Sequence, residues 1–365
     1  MNKTIPLLIT STLLLASCQS PPSKKEPAAT VAPIVVAKPV VDTAPYNAEL
    51  SVRKEQFIKD TAKKYAIPEN QIRETLDKAL YRQSIVNAMS RPAEATKTWA
   101  QYRPIFVTDS RINQGRVHLS DNNASLEKIS TQYGVPAEII VSIMGVETGW
   151  GGNMGSYNVL DALYTLAFYY PVINGKSNPA RTAFFTDELA QFFALCNEEG
   201  FDIFTVKGSY AGAMGLGQFM PSSYRKYAKD GDGDGKRDLF KSKLDAYASI
   251  ANYFIGYGWQ TGKPTFVRAS ASTTALPFKP DNWEAKYSLK ELQVKGYTPN
   301  QTMPDLPATL LTLAGTHGDE YWIGFKNFWV ITRYNRSPMY AMAVYQLSQE
   351  IAQKPYNIPP DPVSQ

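Results

Sequence analysis

Apolar residues recur at offsets of three, four and seven along most of the chain, the repeat that returns side chains to one face of a helix. The pattern runs from residue 51 to about 88 through Phe57, Tyr65 and Ile72. Ile67-Pro68 divides it into two helices, because a residue before proline is driven out of the helical region. Trp99 and Tyr102 lead into Pro104-Ile-Phe-Val-Thr108, and residues 124–133 then form a helix closed by Gly134. Pro136 opens the next helix, which stops at Glu147-Thr-Gly-Trp150-Gly. Further helical stretches cover residues 159–169, 181 to about 197, 246–257 and 341–352. Asn174-Gly-Lys-Ser-Asn-Pro179 interrupts them as a polar surface loop. Residues 261 to about 307 are rich in Pro, Thr, Ser and Lys with little helical period, and have room for short strands.

The first 48 residues show neither repeat. Lys3, an apolar run over residues 5–15 and Leu15-Ala16-Ser17-Cys18 have the layout of an export signal, and the run is too short to span a bilayer. Leu-Ala-Ser-Cys resembles the bacterial lipobox, which implies cleavage before Cys18 and lipidation of its thiol. Gln19, where an Asp would retain the protein, implies sorting to the outer membrane. An ordinary secreted protein with an incidental cysteine is the competing reading. Residues 19–48, rich in Pro, Ala, Val, Lys and Thr, read as a disordered tether.

Composition narrows the function classes. A chain of 365 residues can bury a full core, and 44% hydrophobic with 19% charged residues is the balance of a soluble globular protein. The net charge of +5 comes without a basic block, which argues against nucleic acid as a partner. Two cysteines make no disulfide framework, and Cys196, in the apolar segment Leu189-Ala-Gln-Phe-Phe-Ala-Leu-Cys, reads as an inert buried thiol. The two histidines, His118 and His317, stand in no metal-ligand or triad-like setting.

Three stretches carry candidate chemistry. Ile140, Ile143 and Met144 share a helical face with Glu147, so its carboxylate is expected to point inward. Burial favours the protonated acid, and a proton held near neutral pH is what a general acid needs. A glutamate paired with a buried Arg or Lys would look the same. In Gly208-Ser209-Tyr-Ala-Gly-Ala-Met-Gly-Leu-Gly-Gln218-Phe-Met-Pro-Ser-Ser223 the glycines permit close approach of backbone to a ligand, with Ser209 and Gln218 beside it. Tight helix packing through small residues is the alternative. Asp230-Gly-Asp232-Gly-Asp234-Gly-Lys236-Arg-Asp238 places oxygen ligands at alternate positions, as in a calcium loop. The twelfth position is Lys241 where a glutamate is expected, so a standard loop fails, and Asp245 is the residue available to close a lengthened one. A solvated acidic turn without metal is the competing reading, and a single loop is a structural clip rather than a sensor.

Taken together and in order, Gly145-Val-Glu147-Thr-Gly-Trp150-Gly, Gly212-Ala-Met-Gly215-Leu-Gly-Gln218-Phe-Met-Pro-Ser-Ser223, the aspartate loop and Asn327-Phe-Trp-Val-Ile-Thr-Arg-Tyr-Asn335 resemble the membrane-bound lytic murein transglycosylase B family. The resemblance covers residues 57 to about 351. It implies a mainly α (α+β) fold, with a lysozyme-like catalytic core flanked by a helical part and a small β-containing part. The catalytic domain would then cover residues 49–355, its core about 124–260, with a tail over 356–365. The implied reaction cleaves the β-1,4 bond between N-acetylmuramic acid and N-acetylglucosamine without water, leaving a 1,6-anhydro sugar.

By the same resemblance Glu147 is the acid and then the base. Tyr102, Ser209, Gln218, Tyr253, Asn335 and Tyr340 line the glycan cleft with Arg181 nearby. Asp230, Asp232, Asp234, the Lys236 carbonyl and Asp245 hold a structural calcium ion. No second acid is placed in either motif, so the substrate's N-acetyl group would act as nucleophile. The implied partners are peptidoglycan glycan strands, the outer membrane through the lipid anchor, and proteins of cell-wall synthesis or division. The implied location is the periplasmic side of that membrane. Two departures touch the outer subsites: Gly152 stands where the family often has Arg, and the insertion over residues 172–178 leaves Arg181 alone where relatives show a pair. The competing functions are a lysozyme-type hydrolase, which would leave reducing muramic ends, and a non-catalytic peptidoglycan-binding lipoprotein, whose sign would be a missing acid.

Overall fold

The N-terminal helices are tied to both ends of one buried helix, α8 (Val159–Phe168), through its dipole. In this computed structural model, which describes residues 44–45, 49–90 and 97–356, the chain begins with α1 (Leu50–Tyr65), α2 (Glu69–Lys78) and α3 (Gln83–Ser90). Arg53 of α1 donates to the carbonyls of Ala167 and Phe168 at 2.7 and 3.3 Å, where the helix end is negative. At the other end Asp161, in the first turn of α8, accepts from Leu80 N and forms an ion pair with Arg82 at 2.8 Å. The break expected at Ile67-Pro68 is present: Ala66 is left-handed and Pro68 extended. Cys18 and almost all of the tether lie outside the described residues, as does the tail beyond Tyr356.

Four helices follow before α8: α4 (Trp99–Phe106), α5 (Asp109–Asp121), α6 (Asn123–Tyr133) and α7 (Ala137–Thr148). A capping box between Thr98 and Gln101 starts α4, and the Thr108 hydroxyl caps α5. Helix α7 is apolar over nearly its whole circumference, as suits a helix enclosed on all sides. It lies among α5, α6, α11 (Lys243–Gly256) and α14 (Pro338–Ile351). The Glu188 carboxylate of α9 (Pro179–Glu199) is buried and accepts Ser222 N and Oγ at 2.9 and 2.6 Å. It therefore serves as the missing cap of α10 (Pro221–Tyr227), whose own N-cap residue Met220 offers no acceptor.

Among the described residues two antiparallel sheets complete the fold. A two-stranded ribbon pairs β1 (Tyr157–Asn158) with β2 (Lys207–Gly208). The larger sheet has the order β4 (Tyr297–Pro299), β3 (Phe266–Ala271), β6 (Gly318–Gly324), β5 (Thr309–Gly315). It carries α12 (Leu289–Val294), and α13 (Lys326–Tyr334) leads back to the helices. The residues expected to hold short strands thus contribute two of them and one helix. The two longest strands, β5 and β6, lie beyond those residues, residues 51–88 form three helices rather than two, and helices α5 and α13 are further additions to the elements expected from sequence.

Candidate active site

Helix α7 ends in a turn held from three sides. Gly149, Trp150 and Gly151 are all left-handed, with φ of 58°, 58° and 97°. For a tryptophan this conformation costs about 1–2 kcal/mol, so neighbouring contacts must hold it. The indole Nε1 donates to Val141 O at 3.0 Å. Its ring lies where a side chain on Gly145 would have to be, since a Cβ there would come within 2.6 Å of it. The other side of the ring stacks on His118 at 5.8 Å, and His118 Nε2 meets Tyr247 Oη at 2.6 Å. Thr148 adds a third tie, its hydroxyl donating to Leu216 O at 2.9 Å and accepting from Gly151 N at 3.0 Å.

Glu147 sits where α7 emerges from this packing. Ile140, Ile143 and Met144 on its face are fully buried, whereas Glu147 itself is half-buried, at the boundary of the core rather than inside it. Its Oε1 accepts a 2.6 Å hydrogen bond from Tyr340 Oη, in the first turn of α14. Burial first and the nearby Glu147 carboxylate second hold the Tyr340 and Tyr334 phenols well above the usual tyrosine range. Both are thus neutral hydroxyls that can donate at any physiological pH.

Around this pair the glycine-dense segment folds as turns and isolated bridges rather than helix, so its glycines serve close backbone approach. Gly217 shows why: a Cβ there would lie 2.9 Å from Tyr334 Oη, which donates to Gly217 O at 2.6 Å. Gln218 is left-handed, and its Nε2 donates to Met154 O and Gly215 O at 3.0 and 3.1 Å. Tyr253 donates to Arg333 O at 2.6 Å, and its ring stands edge-on to Tyr334 at 4.9 Å and stacked on Phe219 at 5.8 Å. Tyr102 is buried on α4 and stacks on Trp99 at 6.4 Å, close enough to Tyr340 to act on it electrostatically.

The structure therefore gathers Glu147, Tyr340, Tyr102, Tyr253 and Gln218, together with Tyr334, which the sequence reading did not single out. Tyr334 lies in an aromatic-rich stretch where nothing marks it apart from core. Ser209 and Asn335 are half-buried and act on their own backbone: Ser209 Oγ accepts from Ala211 N and Ala213 N, and Asn335 Oδ1 from Ser337 N at 3.0 Å. Arg181 is exposed on α9, its guanidinium over the rings of Phe184 and Phe185 at 4.9 and 4.8 Å. Cys196 is buried and its thiol pushed up to about 12 by desolvation, so it is inert.

The aspartate loop lies between α10 and α11. Ligand oxygens of Asp230, Asp232 and Asp245 fall within 4.8 Å of one another. Asp245 is fully buried, and burial pushes its carboxyl up against the pull of two backbone donors, Gly231 N at 2.8 Å and Asp238 N at 2.7 Å. Three hard oxygen donors with a buried carboxylate fit a calcium ion. Asp234 lies outside that group, exposed, with its Oδ1 on Lys236 N at 2.8 Å.

Residues 51–349 match the family model described as Transglycosylase SLT domain. The chain is 40% identical over 308 residues to membrane-bound lytic murein transglycosylase B of Escherichia coli (strain K12), covering 82% of each sequence. Among solved structures, the Escherichia coli lytic transglycosylase Slt35 in complex with calcium superposes with a TM-score of 0.73 at 40% identity, covering 82% of this chain and 92% of that one. Pseudomonas aeruginosa SltB3 in complex with NAG-NAM-pentapeptide superposes at 0.71 and 27% identity, covering 87% and 84%.

Proposed function

The chain belongs to the membrane-bound lytic murein transglycosylase B family and is a lytic transglycosylase acting on peptidoglycan, and we propose that Glu147 is its single acid and base. The observation that carries this is the half-buried Glu147 carboxylate at the exit of α7, with Tyr340 donating to it at 2.6 Å. In the first step the protonated carboxyl gives its proton to the glycosidic oxygen. The C1–O bond breaks as the carbonyl oxygen of the muramic N-acetyl group bonds to C1. In the second step the Glu147 carboxylate takes the proton of the C6 hydroxyl, O6 bonds to C1, and the bond from the N-acetyl oxygen breaks. The product is the 1,6-anhydro sugar, and Glu147 is protonated again. Ring closure from a hydroxyl already on the sugar makes this step unimolecular, which favours it over attack by water.

Tyr102, Tyr253, Gln218 and Tyr340 would line the cleft on the Glu147 side, with Ser209 and Asn335 shaping its backbone walls and Arg181 reaching an outer subsite. Calcium would be held by Asp230, Asp232 and Asp245, with Asp234 and the Lys236 carbonyl completing the set. There it would supply only charge and cross-linking between the loop and α11. The related Escherichia coli enzyme is named as membrane-bound, and no described helix here is long and apolar enough to cross a membrane. We infer attachment through a lipidated Cys18 to the periplasmic face of the outer membrane, with glycan strands and cell-wall synthesis or division proteins as partners. The test is digestion of purified peptidoglycan by the protein and by Glu147→Gln, followed by mass analysis of the fragments. Anhydro-muramic ends from the first, and a loss of about 10²–10⁴-fold in the second, are expected. Reducing muramic ends or an active Glu147→Gln variant would refute the mechanism.

A further inference from the structure

The two faces of the larger sheet have different surroundings. One face sends Phe266, Leu311, Leu313 and Trp322 into the main helical core. The opposite face sends Val267, Ala269, Leu310 and Ile323 into a separate apolar cluster with Leu289 and Leu292 of α12. Alternation along the strands places Asp319 and Tyr321 of β6 on this second face, Tyr321 opposite Thr312 of β5. There the face opens into a cleft of about 460 Å³, walled by Tyr321, Tyr297, Phe278 and Trp283 and bearing Asp319 and Lys279.

The walls are pinned. Tyr297 Oη donates to Leu276 O at 2.9 Å and Ser272 N to Gly296 O at 2.8 Å, which fastens the segment after β3 to the edge strand β4. Trp283 stands edge-on to Phe328 of α13 at 6.3 Å. Trp283, Phe278 and Tyr321 are half-buried, so part of each ring faces the cleft, and Asp319 and Lys279 are exposed. Nearby ion pairs join Arg268 to Glu320 and Lys286 to Asp281. Asp319 and Lys279 have no ion-pair partner among the described residues.

We propose that this cleft is a second substrate site, which binds the peptide stems of peptidoglycan. The proposal rests on the peptidoglycan reading above and extends it to substrate preference. A stem peptide is short, has small apolar side chains that can lie on ring faces, and carries free carboxylates together with the amine of its diamino acid. Lys279 and Asp319 complement that pair of charges, whereas a bare glycan strand has no cation to offer Asp319. Exposed charges and partial ring faces make a weak site, but on a polymer a weak second contact raises the overall hold without new chemistry at Glu147.

The experiment compares the protein with Trp283→Ala and Asp319→Asn on intact sacculi and on the same sacculi stripped of peptides by an amidase. The half-saturating amount of intact sacculi should rise about threefold to tenfold in each variant, with the maximal rate unchanged and no change on stripped glycan. Variants that match the parent on both substrates overturn the proposal. An equal rise on both overturns the peptide as occupant in favour of the glycan. Asp319 is exposed and makes no ion pair among the described residues, so Asp319→Asn keeps the test valid where loss of Trp283 harms folding. A parent protein that leaves no anhydro ends on either substrate would instead mean the failure of the reaction assigned to Glu147.

Discussion

At Glu147 the decisive contact is one hydroxyl. Tyr340 Oη lies 2.6 Å from Oε1, and a hydrogen bond to a carboxylate in a half-buried setting is worth about 1.5–3 kcal/mol. Tyr340→Phe removes the donor and keeps the ring that fills the first turn of α14. If the bond aims the carboxylate at the scissile oxygen, kcat falls about 10–100-fold while KM changes little. Steady-state kinetics on purified peptidoglycan with a thermal melt will separate this from simple destabilisation. The helix around Glu147 left a buried ion pair and a catalytic acid equally open, and the order of the other motifs along the chain is what favoured the acid. Tyr340 came only through the family resemblance, since no spacing rule joins residues 193 positions apart. Tyr334 and the left-handed Trp150 were not legible, because their roles depend on backbone that arrives from elsewhere in the chain.

The elements show the same division. Helix α5 escaped the apolar pattern because the residues it buries are Ile112, Gly115 and His118, of which only one is a large hydrophobe. Gly115 leaves room for Ile351 of α14 and, beyond it, the edge of Trp150, while His118 stacks on Trp150, which the sequence of α5 does not reveal. Helix α11 starts at Lys243, three residues before its apolar run, because Ser242 Oγ caps Asp245 N at 3.2 Å and Asp245 is buried despite its charge. The motif made the aspartate loop legible, and Asp245 is the residue that joins the loop to the helix. With calcium at about a hundred times its dissociation constant, binding to the folded chain alone adds about 2.7 kcal/mol. A chelator should then lower Tm by about 5 °C or more. Asp245→Asn should melt lower and lose the response to calcium, whereas melting that is indifferent to both calcium and chelator would leave the loop without a metal.

Across the molecule, α5, the turn after α7 and α11 meet at one histidine. His118 stacks on Trp150 and bonds Tyr247, so it links the Glu147 turn to the helix that also closes the aspartate loop. Burial foremost, with Lys243 on α11 adding and Asp121 on α5 opposing, holds its imidazole down from 6.5 to about 4. Between those two values the unfolded chain takes up a proton that the folded one refuses. Stability is therefore full above about pH 6.5 and is lost as pH falls toward 4, by about 2–3 kcal/mol in total. Glu188 works in the opposite sense, since burial raises its carboxyl and folding then favours the protonated form as pH falls. The contribution of His118 must accordingly be read as a difference. In melts at pH 7, 6, 5 and 4.5, His118→Gln should be less stable than the parent at pH 7, and the gap should narrow as the parent loses the advantage of a neutral imidazole. A gap that stays constant with pH would mean that His118 supports the turn by packing alone. A narrowing gap would mean that acid destabilises the fold by protonating His118, the residue that stacks on Trp150 in the turn after Glu147.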